Sequence, residues 1–214
     1  MALERRLFER KRTVLIEESM DRLEFLVEER SMAEVLKVLL PRILPASWVL
    51  GENYFIRPHE GKSDLKRSIP KKLKGFAQHK EQTTGFIIIQ DQDSNDCRQL
   101  KQELVALCQA NQAPNIKFLV RIICHELEAW YLGDMKAIQA VFPRFNPARH
   151  LKKSLFRLPD TCQNPKTRLK DIVGDYQQIA TAQMIAPYID IEHNRSESFR
   201  QFVSGIRKFI TAKR

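Results

Sequence analysis

The run GFIIIQ, from Gly85 to Gln90, constrains this chain more than any other segment. Its consecutive apolar side chains, mostly β-branched, cannot alternate between core and solvent, so a strand made of them must be covered on both faces. Strands of that kind belong to parallel sheets, whose crossover connections lay helices on either side. The neighbouring segments agree. LEFLVEE from Leu23 and IKFLVRIIC read as strands, and a further strand is expected within SWVLGENYFIR.

Helical patterns separate these strands. In SMAEVLKVLLPRIL, Ser31 and Glu34 have capping-box spacing, Val35, Leu36, Leu39, Leu40 and Ile43 form an apolar stripe, and Pro41 and Pro45 mark the end. GKSDLKRSIPKKLKGF predicts a loop and a short helix interrupted at Pro70. Cys97, Leu100, Leu104, Leu107 and Cys108 repeat at helical spacing, and HELEAWYLGDMKAIQAVF reads as one further helix. The expectation is an α/β fold, a three-layer sandwich around a mostly parallel sheet of about four strands.

With 214 residues, 43% of them hydrophobic, the chain suits one main domain. Residues 1–19 read as an N-terminal extension, 20–142 as the α/β domain, and 143–214, where proline and basic residues gather, as a helical C-terminal region packed on it. Within that last part, helices are expected near 174–186 and 196–212. Cys97, Cys108, Cys124 and Cys162 form no C-x-x-C pair and read as reduced thiols. No run approaches the ~18 apolar residues of a membrane span, and the first residues lack a signal peptide's apolar stretch. A cytoplasmic protein without a membrane partner is expected.

The net charge is +10. Arg57, Lys62, Lys66, Arg67, Lys71, Lys72, Lys74 and Lys80 cluster within one stretch that holds only Glu60 and Asp64 as acids. Such a cluster is either a solvated face or a track for a polyanion, and nucleic acid is the partner it suits.

Ligands of a parallel sheet sit beyond the carboxyl ends of its strands, and three strand ends here deliver acids. Glu28 and Glu29 follow the first strand, Asp91 and Asp93 the GFIIIQ strand, and Glu126 and Glu128 the IKFLVRIIC strand. If extended geometry continues through Gln92, Asp91 and Asp93 share a face. Carboxylates so gathered share protons or hold a cation, and hard oxygen donors suit magnesium, manganese or calcium. The plainer alternative is that Ser94 or Asp93 merely caps the next helix and Asp96 favours its dipole.

LEFLVEERSMAEVLKVLLPRIL, FIIIQDQDSNDCRQLK, HELEAWYLGD and EHNRSESFRQF occur in that order and resemble a bacterial family of Toprim-like proteins, often encoded beside an ATPase in phage-defence neighbourhoods. The resemblance spans Met20 to Phe209. More distantly, the layout is similar to the Toprim fold of topoisomerases, bacterial primases and the overcoming-lysogenization-defect nucleases. By that resemblance Glu28 is the general acid/base, Asp91 and Asp93 hold Mg2+ or Mn2+, and Glu126 or Glu128 serves a second metal. Glu29 departs from the glycine that many Toprim domains carry after the catalytic glutamate. Lys62 is assigned to the scissile phosphate, and Lys62, Lys66, Arg67, Lys71, Lys72 and Lys74 to the nucleic-acid backbone.

The resemblance thus implies a divalent-metal-dependent nuclease partnered by a separate ATPase, with a homo-oligomer also compatible. The alternative is a non-catalytic subunit of the same fold that binds nucleic acid or the ATPase. His125 heads no H-E-x-x-H, which excludes a zinc-protease motif, and the absence of a Walker A pattern puts any ATPase on another chain. Phosphatases of the haloacid-dehalogenase type would want threonine at the fifth position of the D-x-D motif, where Asn95 stands.

Overall fold

The computed structural model describes residues 20–211, so the expected extension over residues 1–19 lies outside the described residues. Four strands form one sheet: β1 (Arg22–Val27), β2 (Tyr54–Pro58), β3 (Thr84–Asp91) and β4 (Ile116–Ile123). Their order is β2-β1-β3-β4 and every pairing is parallel. The helices, in chain order, are α1 (Arg30–Ile43), α2 (Lys62–Ala77), α3 (Cys97–Gln109), α4 (Glu128–Leu132), α5 (Met135–Val141), α6 (Ser154–Arg157), α7 (Pro165–Val173), α8 (Gln178–Ile185) and α9 (Glu197–Thr211).

Two apolar cores lie on opposite faces of the sheet, as the two-sided burial of GFIIIQ requires. On one face Phe25, Val27, Ile87 and Ile89 pack against α1, α4, α5, α8 and α9. On the other, Leu26, Phe86, Ile88 and Val120 meet Leu65, Ile69 and Leu73 of α2 and Leu100, Leu104 and Cys108 of α3. The result is the expected three-layer α/β sandwich. The C-terminal helices share the first core: α8 lies along α1, and α9 crosses β4 with Phe199, Phe202 and Ile206 fully buried. All four cysteines are free thiols. No described helix is long and apolar enough to cross a membrane.

Several local expectations need correction. No capping box forms on α1: its first flanking residue is Glu29, Ser31 Oγ donates to that glutamate at 3.4 Å, and Glu34 is taken by Lys37 and Gln183. Helix α1 also runs past Pro41 to Ile43. Helix α2 continues unbroken through Pro70, because Leu65, Ile69 and Leu73 are buried on both sides of the ring and hold it against the sheet. The HELEAWYLGDMKAIQAVF segment is instead two helices. Asp134 caps α5 by accepting from the Lys136 and Ala137 amides at 3.1 Å, and Gly133 lies so close to Asn194 that a Cβ there would stand 2.1 Å from its Oδ1.

Candidate functional site

Strand register brings the acids to one edge. Val27 pairs with Ile89 and Asp91 with Ile123, so β1, β3 and β4 end side by side. Glu28, one residue beyond β1, is buried and accepts the Asp91 backbone N–H at 3.2 Å. Together with Glu29 and Leu127, the two acids line a narrow crevice of about 10 Å³, roughly the room of one water.

The crevice is electrostatically strained. Asp91 opens to the crevice yet is enclosed by protein, and that burial, followed by the charges of Glu28, Glu128 and Glu29, holds its carboxyl well above the ordinary range; the Leu127 amide opposes. The strongest charges acting on Asp91 are all negative. Burial also raises Glu28, against which the Lys62 charge works. Glu128 is almost wholly buried beneath them and is likewise raised by burial, opposed by the hydroxyl of Tyr176, which donates to it. Beside this pair the Tyr131 hydroxyl is fully buried with no hydrogen-bond partner among the described residues, and burial, then Glu128, Tyr176 and Asp91, push its ionisation up.

Asp93 takes a different course from Asp91. Extended geometry stops at Asp91, and Asp93 adopts a left-handed φ of 49°, so the two carboxylates do not share a strand face. Asp93 lines a second, larger cleft of about 530 Å³ with Glu126, His125, Gln163 and Asn164. Its carboxylate is paired with Lys62, the first residue of α2. Gly61, at a φ of 91° that favours glycine, starts that helix and donates its N–H to the Glu28 carbonyl at 3.0 Å. The Lys62 charge therefore acts on acids of both the crevice and the cleft.

The third strand end splits its acids. Glu126 faces the cleft, where its Oε2 accepts the Lys166 backbone N–H at 3.1 Å, while Glu128 sits below the crevice. Helices after β4 thus supply partners that no motif announced: Tyr176, Lys166, Gln163 and Asn164 lie about 40 residues or more beyond the acids they approach, and only tertiary packing brings them there. Among the described residues no three or more His, Cys, Asp or Glu side chains are arrayed as a preformed metal cage. By chemistry Glu28 and Asp91 nevertheless offer hard oxygen donors of the kind magnesium takes, with room between them for the ion but not for its hydration shell.

The basic cluster is less free than its composition suggests. Arg57 is tied to buried Glu24 at 2.9 Å, Lys66 to Glu103 at 3.2 Å and Arg67 to Asp64 at 3.1 Å. Among the described residues, no carboxylate pairs with Lys71, Lys72 or Lys74.

Fold and site together define an all-parallel α/β sandwich with carboxylates converging on the carboxyl edge of its sheet. Residues 27–207 match the domain of unknown function DUF4276, and the chain belongs to that family. No curated protein and no solved structure matches it.

Proposed function

We propose that this protein is a divalent-metal-dependent nuclease that hydrolyses phosphodiester bonds of DNA or RNA. One observation carries the reading: strand register brings Glu28 and Asp91 to one edge of the sheet above Glu128, where burial holds all three carboxyls above the ordinary range and the charges of Glu28 and Glu128 raise Asp91 further. A fold tolerates such crowding where a cation or proton is part of the chemistry. Mg2+ or Mn2+, when bound, would activate water and stabilise the leaving oxygen.

The chain's own residues divide the remaining work. Glu28 and Asp91 offer hard oxygen donors, and Glu28 is also placed to take a proton from an incoming water. Lys62 at the margin of both openings is positioned to meet a phosphate oxygen. Glu128, locked by Tyr176, orients the floor beneath Asp91 and is not itself open to solvent. Lys71, Lys72 and Lys74 would hold the strand without reading its sequence. The resemblance to Toprim-like proteins supports the same reading and adds a separate ATPase, in bacterial phage defence, as partner.

A second reading has one observation in its favour. The Lys62–Asp93 pair and the Tyr176–Glu128 bond satisfy two of the acids within the protein, as suits a non-catalytic subunit that binds nucleic acid or the ATPase. Cleavage of end-labelled DNA and RNA strands with manganese separates the two. The nuclease reading expects cutting that chelator abolishes, and no cutting of either strand at any manganese concentration would favour the binding subunit.

A further inference from the structure

The larger cleft has features that the hydrolytic chemistry does not need. At about 530 Å³ it falls within the range of small-ligand sites, whereas the acidic crevice beside it admits little more than a water. Its floor is rigid. The Asp93 N–H donates to the His125 carbonyl at 2.8 Å, the His125 N–H donates to Gln92 Oε1 at 3.3 Å, and the His125 ring nitrogen Nδ1 lies 3.2 Å from the Asp93 carbonyl. Both clasped residues hold left-handed backbone, with φ of 49° and 58°, without being glycine. Strain of that kind persists where a site is preorganised.

The chemistry of the walls selects the occupant. No lysine or arginine side chain lines the cleft, and two carboxylates do, so a phosphate is excluded from it. Asp93 and Glu126 are each anchored by one donor, from Lys62 and from the Lys166 amide, which leaves acceptor capacity directed into the opening. The same cleft is lined by the exposed side-chain amides of Gln163 and Asn164, which make no hydrogen bond within the described residues and offer both donors and acceptors. Carboxylates and amides together around a rigid floor match a neutral, flat group rich in hydrogen-bonding edges.

We infer that this cleft receives the base and sugar of one unpaired nucleotide, so that the nucleic acid acted upon is single-stranded at that point. The inference rests on the nuclease reading for the identity of the ligand as nucleic acid. A base still paired in a duplex has its edge occupied and cannot enter a cleft, whereas an unpaired one can turn into it. The phosphates on either side would remain outside, near Lys62 and the free lysines of α2.

Binding measured in chelator, where no metal-dependent cutting occurs, tests this separately from catalysis. Fluorescence anisotropy of the full chain would compare a labelled single strand of about 20 nucleotides, as DNA and as RNA, with the matching duplex. The wild type is expected to bind the single strand more tightly than the duplex. The Gln163→Ala/Asn164→Ala variant is expected to lose about tenfold in single-strand affinity, the cost of one lost set of base contacts, with duplex affinity unchanged. Both residues are exposed, so an unchanged melting temperature would verify the variant's fold. Equal single-strand binding by variant and wild type, duplex binding as tight as single-strand binding, or no single-strand binding at all would each overturn the inference. A nuclease that cuts only duplexes would leave the hydrolytic reading intact while removing this one.

Discussion

The Lys62 ammonium, on the first turn of α2, is paired with the Asp93 carboxylate from the turn after β3, and the same charge weighs on Glu28 after β1. One lysine thus links two strand ends. Replacing it by alanine frees Asp93 and removes a competing cation, so manganese affinity measured by calorimetry should hold or rise. Cleavage should fall by about a hundredfold if Lys62 meets the phosphate in the transition state. Undiminished cutting by Lys62→Ala would reduce the lysine to a charge balance for Asp93.

Asp91 should cost the fold stability at neutral pH. A carboxyl raised in the folded state binds its proton more tightly there than in the unfolded chain. The stability it contributes is fully present below the ordinary value near 3.8 and is lost as pH rises from there through the raised folded value. Asp91→Asn is therefore expected to gain roughly 1 kcal/mol, or about 3 °C in melting temperature, at pH 7. Near pH 4 the gain should shrink towards zero. Melting curves across that interval check the sign directly, and manganese should raise the melting temperature of the wild type but not of the variant.

Tyr176 holds the buried Glu128 carboxylate through its hydroxyl. In Tyr176→Phe that oxygen loses its donor inside the protein, which should cost about 1–3 kcal/mol in denaturant unfolding. Cutting should drop with it, because the floor under Asp91 loses its orientation. A variant as stable as the wild type would mean that solvent reaches Glu128.

Gly133→Ala should be among the most damaging single changes outside the site. The new methyl would stand 2.1 Å from Asn194 Oδ1 and 2.8 Å from the Ser196 backbone nitrogen, and Asn194 is itself bound to the Trp130 carbonyl at 2.9 Å. A loss of about 2 kcal/mol or more, read as reduced yield and an earlier thermal transition, is expected. The buried Glu24, shared by Arg22 and the partly exposed Arg57, offers a parallel test: Glu24→Ala removes the acceptor of both guanidinium groups and should cost about 1–2 kcal/mol, because solvent reaches Arg57.

The sheet was legible because GFIIIQ tolerates no other environment, and parallel pairing then places acids at one edge wherever a strand ends in them. The strand ends of Glu28 and Asp91 followed directly from that pattern. What the linear pattern hid were effects of tertiary packing. Pro70 stays inside α2 because buried leucine and isoleucine side chains outweigh one lost backbone bond. The break at Gly133 is imposed by Asn194, more than 60 residues downstream. The D-x-D spacing suggested a shared face for Asp91 and Asp93, yet the turn clasped to His125 sends them into different openings. Tyr176, Gln163 and Asn164 carry no motif at all, and reach the site only because the C-terminal helices fold back over the first core.

The central claim is that the crowded carboxylates are kept for cation-dependent cutting at the expense of stability. Cleavage of end-labelled single strands of DNA and RNA with manganese, run with the wild type beside Asp91→Asn, tests it most directly. The wild type should cut at least one of the two strands, and Asp91→Asn, folded and thermally more robust, should leave both untouched. Equal cutting by both proteins, or no cutting of either strand by a wild type that does bind manganese at Asp91, would contradict it.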